Sequence, residues 1–123
     1  MKLKLFLFLF ALNGLIFAQQ GDLQNRFMLA QNYEQLGQFS KAKSIYEELY
    51  KNQPANFAFF QALNKCYVQL KEYNNSQFLI EQKLATDKGN VSILGMLGTT
   101  LYLNGEEKKA FQLWDDFLAD KKD

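Results

Sequence analysis

The sequence predicts an all-α fold of three consecutive helical pairs, and three observations carry that expectation. The chain aligns with itself, without a gap, at a shift of 34 residues. Leu23, Phe57 and Val91 coincide, as do Leu29, Leu63 and Leu97, then Ala42, Ser76 and Ala110. Ile45, Leu79 and Leu113 form a further column, as do Tyr46, Ile80 and Trp114, and Tyr50, Leu84 and Leu118. Within each period, apolar residues recur at spacings of three and four, and no stretch of useful length alternates with period two. Amphipathic helices are therefore expected, and strands are not. Breakers also recur, at Gly37, Pro54, Lys71-Glu72-Tyr73, Asp87-Lys88-Gly89-Asn90 and Asn104-Gly105. A fixed period of this size marks units that cannot bury their apolar faces alone and rely on stacked neighbours for a core.

The chain starts with a different kind of segment. Lys2 and Lys4 precede an apolar run from Leu5 to Phe17, which ends at small Ala18 before the polar Gln19-Gln20-Gly21-Asp22. This is the layout of a secretory signal peptide over residues 1–18, with cleavage expected between Ala18 and Gln19. The apolar run is interrupted by Asn13 and Gly14 and falls short of the roughly 20 residues a membrane-spanning helix needs, so no stable span is expected after cleavage. No cysteine follows the run, so the lipid-anchored version of such a signal is absent. Residues 19–123 are read as one repeat domain, with repeats over about 23–56, 57–90 and 91–123.

The helices follow in order. Asp22 is an expected N-cap for a helix reaching about Leu36, with Gly37 as its terminator. Ser40 is the expected cap of a second helix, whose stripe is Ile45, Tyr46, Leu49 and Tyr50 and which Pro54 stops. Repeat two should carry helices from about Ala55 to Leu70 and from about Asn74 to Ala85. Repeat three should carry them from about Val91 to Leu103 and from Glu106 to about Ala119. Ala42, Ser76 and Ala110 are small where the second helix of each pair meets the first, and a larger side chain there would cost about 1–3 kcal/mol through overpacking. Tyr33, Tyr46, Phe60, Tyr67 and Trp114 are read as core fillers.

Composition excludes most chemistry. The chain has 123 residues, of which 48% are hydrophobic, and a net charge of +1, which gives no basic footprint for nucleic acid. There is no histidine, so the commonest general base and the commonest metal ligand are missing. The single cysteine, Cys66, forbids an intramolecular disulfide framework and a thiolate-rich metal site, and it is read as a packing residue. Asp115 and Asp116 are adjacent on a helix, project in different directions and do not converge as an acid–base pair. Gly95 and Gly98 lie inside a helical pattern and are read as sites of close helix contact. No enzymatic activity, cofactor or metal is expected.

Between its columns, repeat one reads Leu29-Ala30, Tyr33, Leu36-Gly37, Phe39, Ala42, Tyr46 and Pro54. This resembles the tetratricopeptide repeat. Repeat two departs from the family pattern at Asn64, Lys71 and Ser76, where Gly, Gly and Ala are favoured, and repeat three carries Glu107 in place of the aromatic seen as Phe39 and Tyr73. The resemblance implies a right-handed α-α superhelix, a solenoid of three helix pairs, that binds other proteins and is not an enzyme. It also implies that the first helix of each pair lines an inner, concave face that takes a peptide or partner helix. On that face the groove candidates are Phe27, Gln31, Glu34 and Gln35 in repeat one, Gln61, Lys65, Val68 and Gln69 in repeat two, and Thr99, Tyr102 and Leu103 in repeat three. Only Lys65 is cationic among them, which argues against gripping a C-terminal carboxylate. The last helix should leave Phe111 and Leu118 as an exposed terminal face, covered in the cell by further chain, a second copy or a partner. The reading is an exported, periplasmic or envelope-associated scaffold with a protein or peptide partner. The alternative is the amino-terminal repeat region of a longer envelope protein.

Overall fold

The computed structural model describes the backbone of residues 2–120 and the side chains of residues 13–120. The side chains of Lys2, Lys4 and the apolar run as far as Leu12, and the chain end after Asp120, lie outside the described residues. Six α-helices account for the fold: α1 (Lys2–Gln35), α2 (Phe39–Asn52), α3 (Phe57–Gln69), α4 (Tyr73–Thr86), α5 (Val91–Leu103) and α6 (Glu107–Asp120). No strand occurs among the described residues. Two compact units are distinguished, residues 1–60 and 61–123, and the division falls inside α3.

The turns between paired helices are built alike. The N–H of Gln38 donates to Tyr33 O at 2.8 Å and that of Gly37 to Glu34 O at 3.0 Å. The same two bonds recur 34 residues on, from Glu72 to Tyr67 and Lys71 to Val68, and again from Glu106 to Leu101 and Gly105 to Tyr102. This is the Schellman closure, which needs a residue in the left-handed region. Gly37 (φ 72°) and Gly105 (φ 82°) supply it without strain, whereas Lys71 (φ 58°) carries a side chain there.

Helix starts alternate between two devices. The second helices begin straight out of the Schellman turn, and Ala42, Ser76 and Ala110 N–H groups bond the carbonyls of Gln38, Glu72 and Glu106, each at 3.1 Å. Ser40 is therefore not the cap of α2; Gln38 holds that position without a side-chain bond, and the Ser40 carbonyl accepts from Ser44 Oγ inside the helix. The first helices of repeats two and three are capped by asparagine. Asn56 Oδ1 accepts from Phe59 N–H at 3.3 Å, and Asn90 Oδ1 accepts from Ser92 and Ile93 N–H at 3.1 and 3.2 Å. Asp22 stands in the same column but is no N-cap in this chain, because α1 runs through it without a break.

Each unit buries its own set of side chains. In residues 1–60 the interior holds Ala30, Ala42, Tyr46, Leu49, Phe59 and Phe60. Tyr50 on α2 meets Phe60 on α3 with ring centroids 6.3 Å apart. In residues 61–123 the interior includes Leu63, Cys66, Ile80, Ile93, Leu97 and Ala110. Cys66 is fully buried, and Ala42, Ser76 and Ala110 are all at 0% exposure, which explains why that column stays small. Gly98 permits a close approach, since an added Cβ would sit 2.1 Å from Trp114 Nε1, but Gly95 has nothing within 4 Å and makes no close contact.

One apolar column does not behave as its repeats suggest. Leu63 and Leu97 are buried, but Leu29 is 46% exposed. The face that carries Phe59 and Cys66 in repeat two, and Ile93 and Thr100 in repeat three, carries Asn25 and Asn32 in repeat one. These asparagines are exposed, and α1 turns this face, with Leu29 and Leu36, to solvent.

Candidate functional site: the faces of the first helices

In the first unit, the four groove candidates divide into two engaged and two exposed side chains. Phe27 is half-buried, with its ring centroid 5.7 Å from that of Tyr46 and 5.2 Å from that of Phe59. Glu34 Oε2 accepts from the Tyr46 hydroxyl at 2.8 Å. Both residues thus spend part of their surface tying α1 to α2, a constraint that helical position alone does not reveal. Gln31 and Gln35 are exposed. Beside Phe27 lies an open cleft of about 260 Å³, whose lining includes Gln20, Gln24, Gln53, Asn56, Phe27 and Phe59. Its lining thus sets four carboxamides beside two aromatic rings and the apolar side chains of Leu23 and Ala58. Carboxamides offer donors and acceptors together, the complement of a peptide backbone. Asn56 is held in place because its Nδ2 donates to Gln53 Oε1 at 3.3 Å. Neither Gln53 nor Asn56 was legible as a site residue, because they sit at the turn that follows α2.

In the second unit, Gln61, Lys65 and Gln69 of α3 are exposed and Val68 is half-buried. On α5 the exposed Thr99 donates its hydroxyl to Gly95 O at 3.0 Å, as helical threonines do. Tyr102 and Leu103 are 46% and 44% exposed. The Tyr102 ring meets Phe111 of α6 edge-on at 6.2 Å, and Phe111 meets Trp114 edge-on at 5.6 Å. Phe111 and Leu118 are 51% and 54% exposed. By helix position alone, Thr99, Tyr102 and Leu103 on α5 and Phe111 and Leu118 on α6 belong to separate surfaces. The α5–α6 hairpin joins them into one aromatic patch through Tyr102 and Phe111. Edge-on ring pairs of this kind fix side-chain orientation as well as bury area.

Electrostatics are mild. The Lys109 ammonium beside Glu106 holds that carboxyl below its usual range, and Glu106 holds Lys109 above its own. Burial raises the Tyr50 phenol. No group of three or more His, Cys, Asp or Glu side chains that could hold a metal ion occurs among the described residues. No helix among them is long and apolar enough to cross a membrane.

No protein-family model matches the chain, and no curated protein matches it. Solved structures do. The structure named "MamA MSR-1 C2" superposes with a TM-score of 0.62 at 20% sequence identity, over 79% of this chain and 56% of that one. "MamA AMB-1 P212121" gives a TM-score of 0.63 at 20% identity, over 79% of this chain and 53% of that one. This chain thus spans little more than half the length of these neighbours, and the likeness concerns the fold. MamA contains tetratricopeptide repeats, and the chain described here has the same all-helical hairpin-repeat fold.

Proposed function

We propose that this chain is an exported, non-enzymatic interaction module of a bacterial cell envelope, which binds an extended segment of a partner protein along the faces of its first helices. The observation that carries this reading is the pairing of the Gln24, Gln53 and Asn56 carboxamides with the aromatic rings of Phe27 and Phe59, where backbone bonding and side-chain burial are offered together. The hairpin-repeat fold shared with MamA supports a scaffold role. The near-neutral lining, with Lys65 as the cation among the inward positions, suits an uncharged or weakly acidic segment and not nucleic acid. Export rests on the charge, apolar run and small-residue order of residues 1–18.

A second reading has an observation of its own. Leu118 occupies the column of Tyr50, which is covered by Phe60 of the following helix, yet Leu118 itself is 54% exposed. The chain would then be the amino-terminal repeat region of a longer envelope protein whose next segment covers α6. Purification of the protein from its native envelope, in parallel with Lys65→Glu and Tyr102→Ala forms, tests the first reading. A specific partner should be lost from at least one variant while the variant stays folded. Recovery of the same proteins with all three forms would overturn it.

A further inference from the structure

We propose that hydrolysis of the Ala18–Gln19 peptide bond resets the start of the repeat domain and makes Asp22 the N-cap of the first helix of the mature protein. The inference rests on the reading of residues 1–18 as a secretory signal and adds what their removal does. In the uncut chain α1 is continuous from Lys2 to Gln35, so backbone N–H groups around residue 22 are bonded to carbonyls one turn earlier. Water added across the Ala18–Gln19 amide leaves a carboxylate on Ala18 and an ammonium on Gln19. The carbonyls of residues 15–18 then leave with the released segment, and N–H groups of the new first turn are orphaned.

Three features decide where the shortened helix begins. Gly21 disfavours helix by about 1 kcal/mol relative to Ala, and the new ammonium opposes the positive end of the helix, so residues 19–21 loosen. Asp22 is the next residue, and it stands 34 positions before Asn56, which stands 34 before Asn90. Both asparagines cap their helices by accepting from N–H groups two or three residues ahead. At residue 22 the equivalent donors are the N–H groups of Gln24 and Asn25, and a carboxylate there also complements the helix dipole. Side chains from Asn13 to Asp22 are exposed, including Leu15 at 70% and Phe17 at 73%, and half-buried positions begin at Leu23. Gly14 and Gly21 flank the scissile bond, and a Cβ added at either would meet nothing within 4 Å.

The test expresses the full chain in an exporting bacterium and measures the mass of the envelope product. Asp22→Ala and Asp22→Asn are made with the native leader and in an Ala18→Arg background, which denies the peptidase its small residue. The product should begin at Gln19. In the cut product, Asp22→Ala should lower Tm by about 4 °C or more, and Asp22→Asn should largely preserve it. In the uncut Ala18→Arg chain, Asp22→Ala should leave Tm unchanged or raise it, since alanine is the better helix former. An uncut wild-type chain in the envelope would overturn the signal reading and this inference with it. A cut product indifferent to Asp22→Ala, or an equal loss in both backgrounds, would overturn the cap alone and leave the export reading standing.

Discussion

Ser76 Oγ donates to Asn64 Oδ1 across 2.6 Å, and the Thr100 hydroxyl lies 2.9 Å from the same Ser76 oxygen. All three residues are buried. The other repeats carry Ala30 and Gly98 where repeat two has Asn64, and Ala42 and Ala110 where it has Ser76. Two departures from the small-residue pattern thus answer one another, because each supplies the hydrogen bond the other needs on leaving water. Ser76→Ala should destabilise the fold by about 1–3 kcal/mol by stranding a buried acceptor. Asn64→Ala with Ser76→Ala, which restores the pattern of repeat one, should cost less than the two single changes added together. Urea unfolding in a double-mutant cycle should give a coupling of about 1 kcal/mol or more. Simple additivity would show that the two positions are independent.

Gly98 and Gly95 should respond oppositely to alanine. A Cβ at residue 98 would lie within 3 Å of three atoms of the Trp114 indole, so Gly98→Ala must displace that ring and should cost about 1–3 kcal/mol. The Trp114 fluorescence maximum should shift with it. Gly95→Ala meets open space and should stabilise α5 by about 0.5–1 kcal/mol through helix propensity. Thermal unfolding of both variants separates a packing glycine from a replaceable one.

The helical architecture was legible because the 34-residue period fixes it, and α5 matches its expected span of Val91 to Leu103. Glycine announced the turns at Gly37 and Gly105. Lys71 carries no such mark, and only the 34-residue register, which sets it in the column of Gly37 and Gly105, points to its turn. Asn56 was obscured by neighbouring Pro54, although the proline only follows the end of α2 and the asparagine does the capping. The groove candidates were assigned by helix position, but their engagement was not legible. Glu34 bonds Tyr46, and Phe27 packs on Tyr46 and Phe59, because those contacts depend on how α1 crosses α2. The join between Tyr102 and Phe111 likewise depends on the α5–α6 hairpin and not on any spacing within one helix.

The outer face of α6 should mediate association if nothing else covers it. Leu118→Lys removes an apolar side chain without touching the Tyr102–Phe111–Trp114 ring contacts. Burying a leucine is worth about 1.5–3 kcal/mol, so self-association of the protein should weaken about tenfold or more. Sedimentation velocity over a concentration series reads this directly. A protein that is monomeric throughout, and unaltered by Leu118→Lys, would show that this face does not drive self-association.

The start of α6 should be weakly acid-sensitive. A hydrogen bond from Lys109, with a further one from Asn104, holds the Glu106 carboxyl below its ordinary value. A carboxyl lowered on folding contributes stability that is present above its unfolded pKa and lost as pH falls through the folded one. Lys109 is exposed and Glu106 only half-buried, so the effect is small and should fade with added salt. Glu106→Gln should flatten the acid limb of stability against pH at low ionic strength, and an unchanged limb would remove this pair from the account.

The central claim is that partner binding runs along the faces of the first helices. A photo-crosslinking amino acid placed singly at Gln31, Lys65 and Thr99, and at the exposed control positions Ser44 and Gln82 on second helices, tests it most directly in living cells. The account predicts that one and the same partner protein is captured from the three first-helix positions and not from the two controls. Capture from Ser44 and Gln82 with none from Gln31, Lys65 or Thr99 would contradict it.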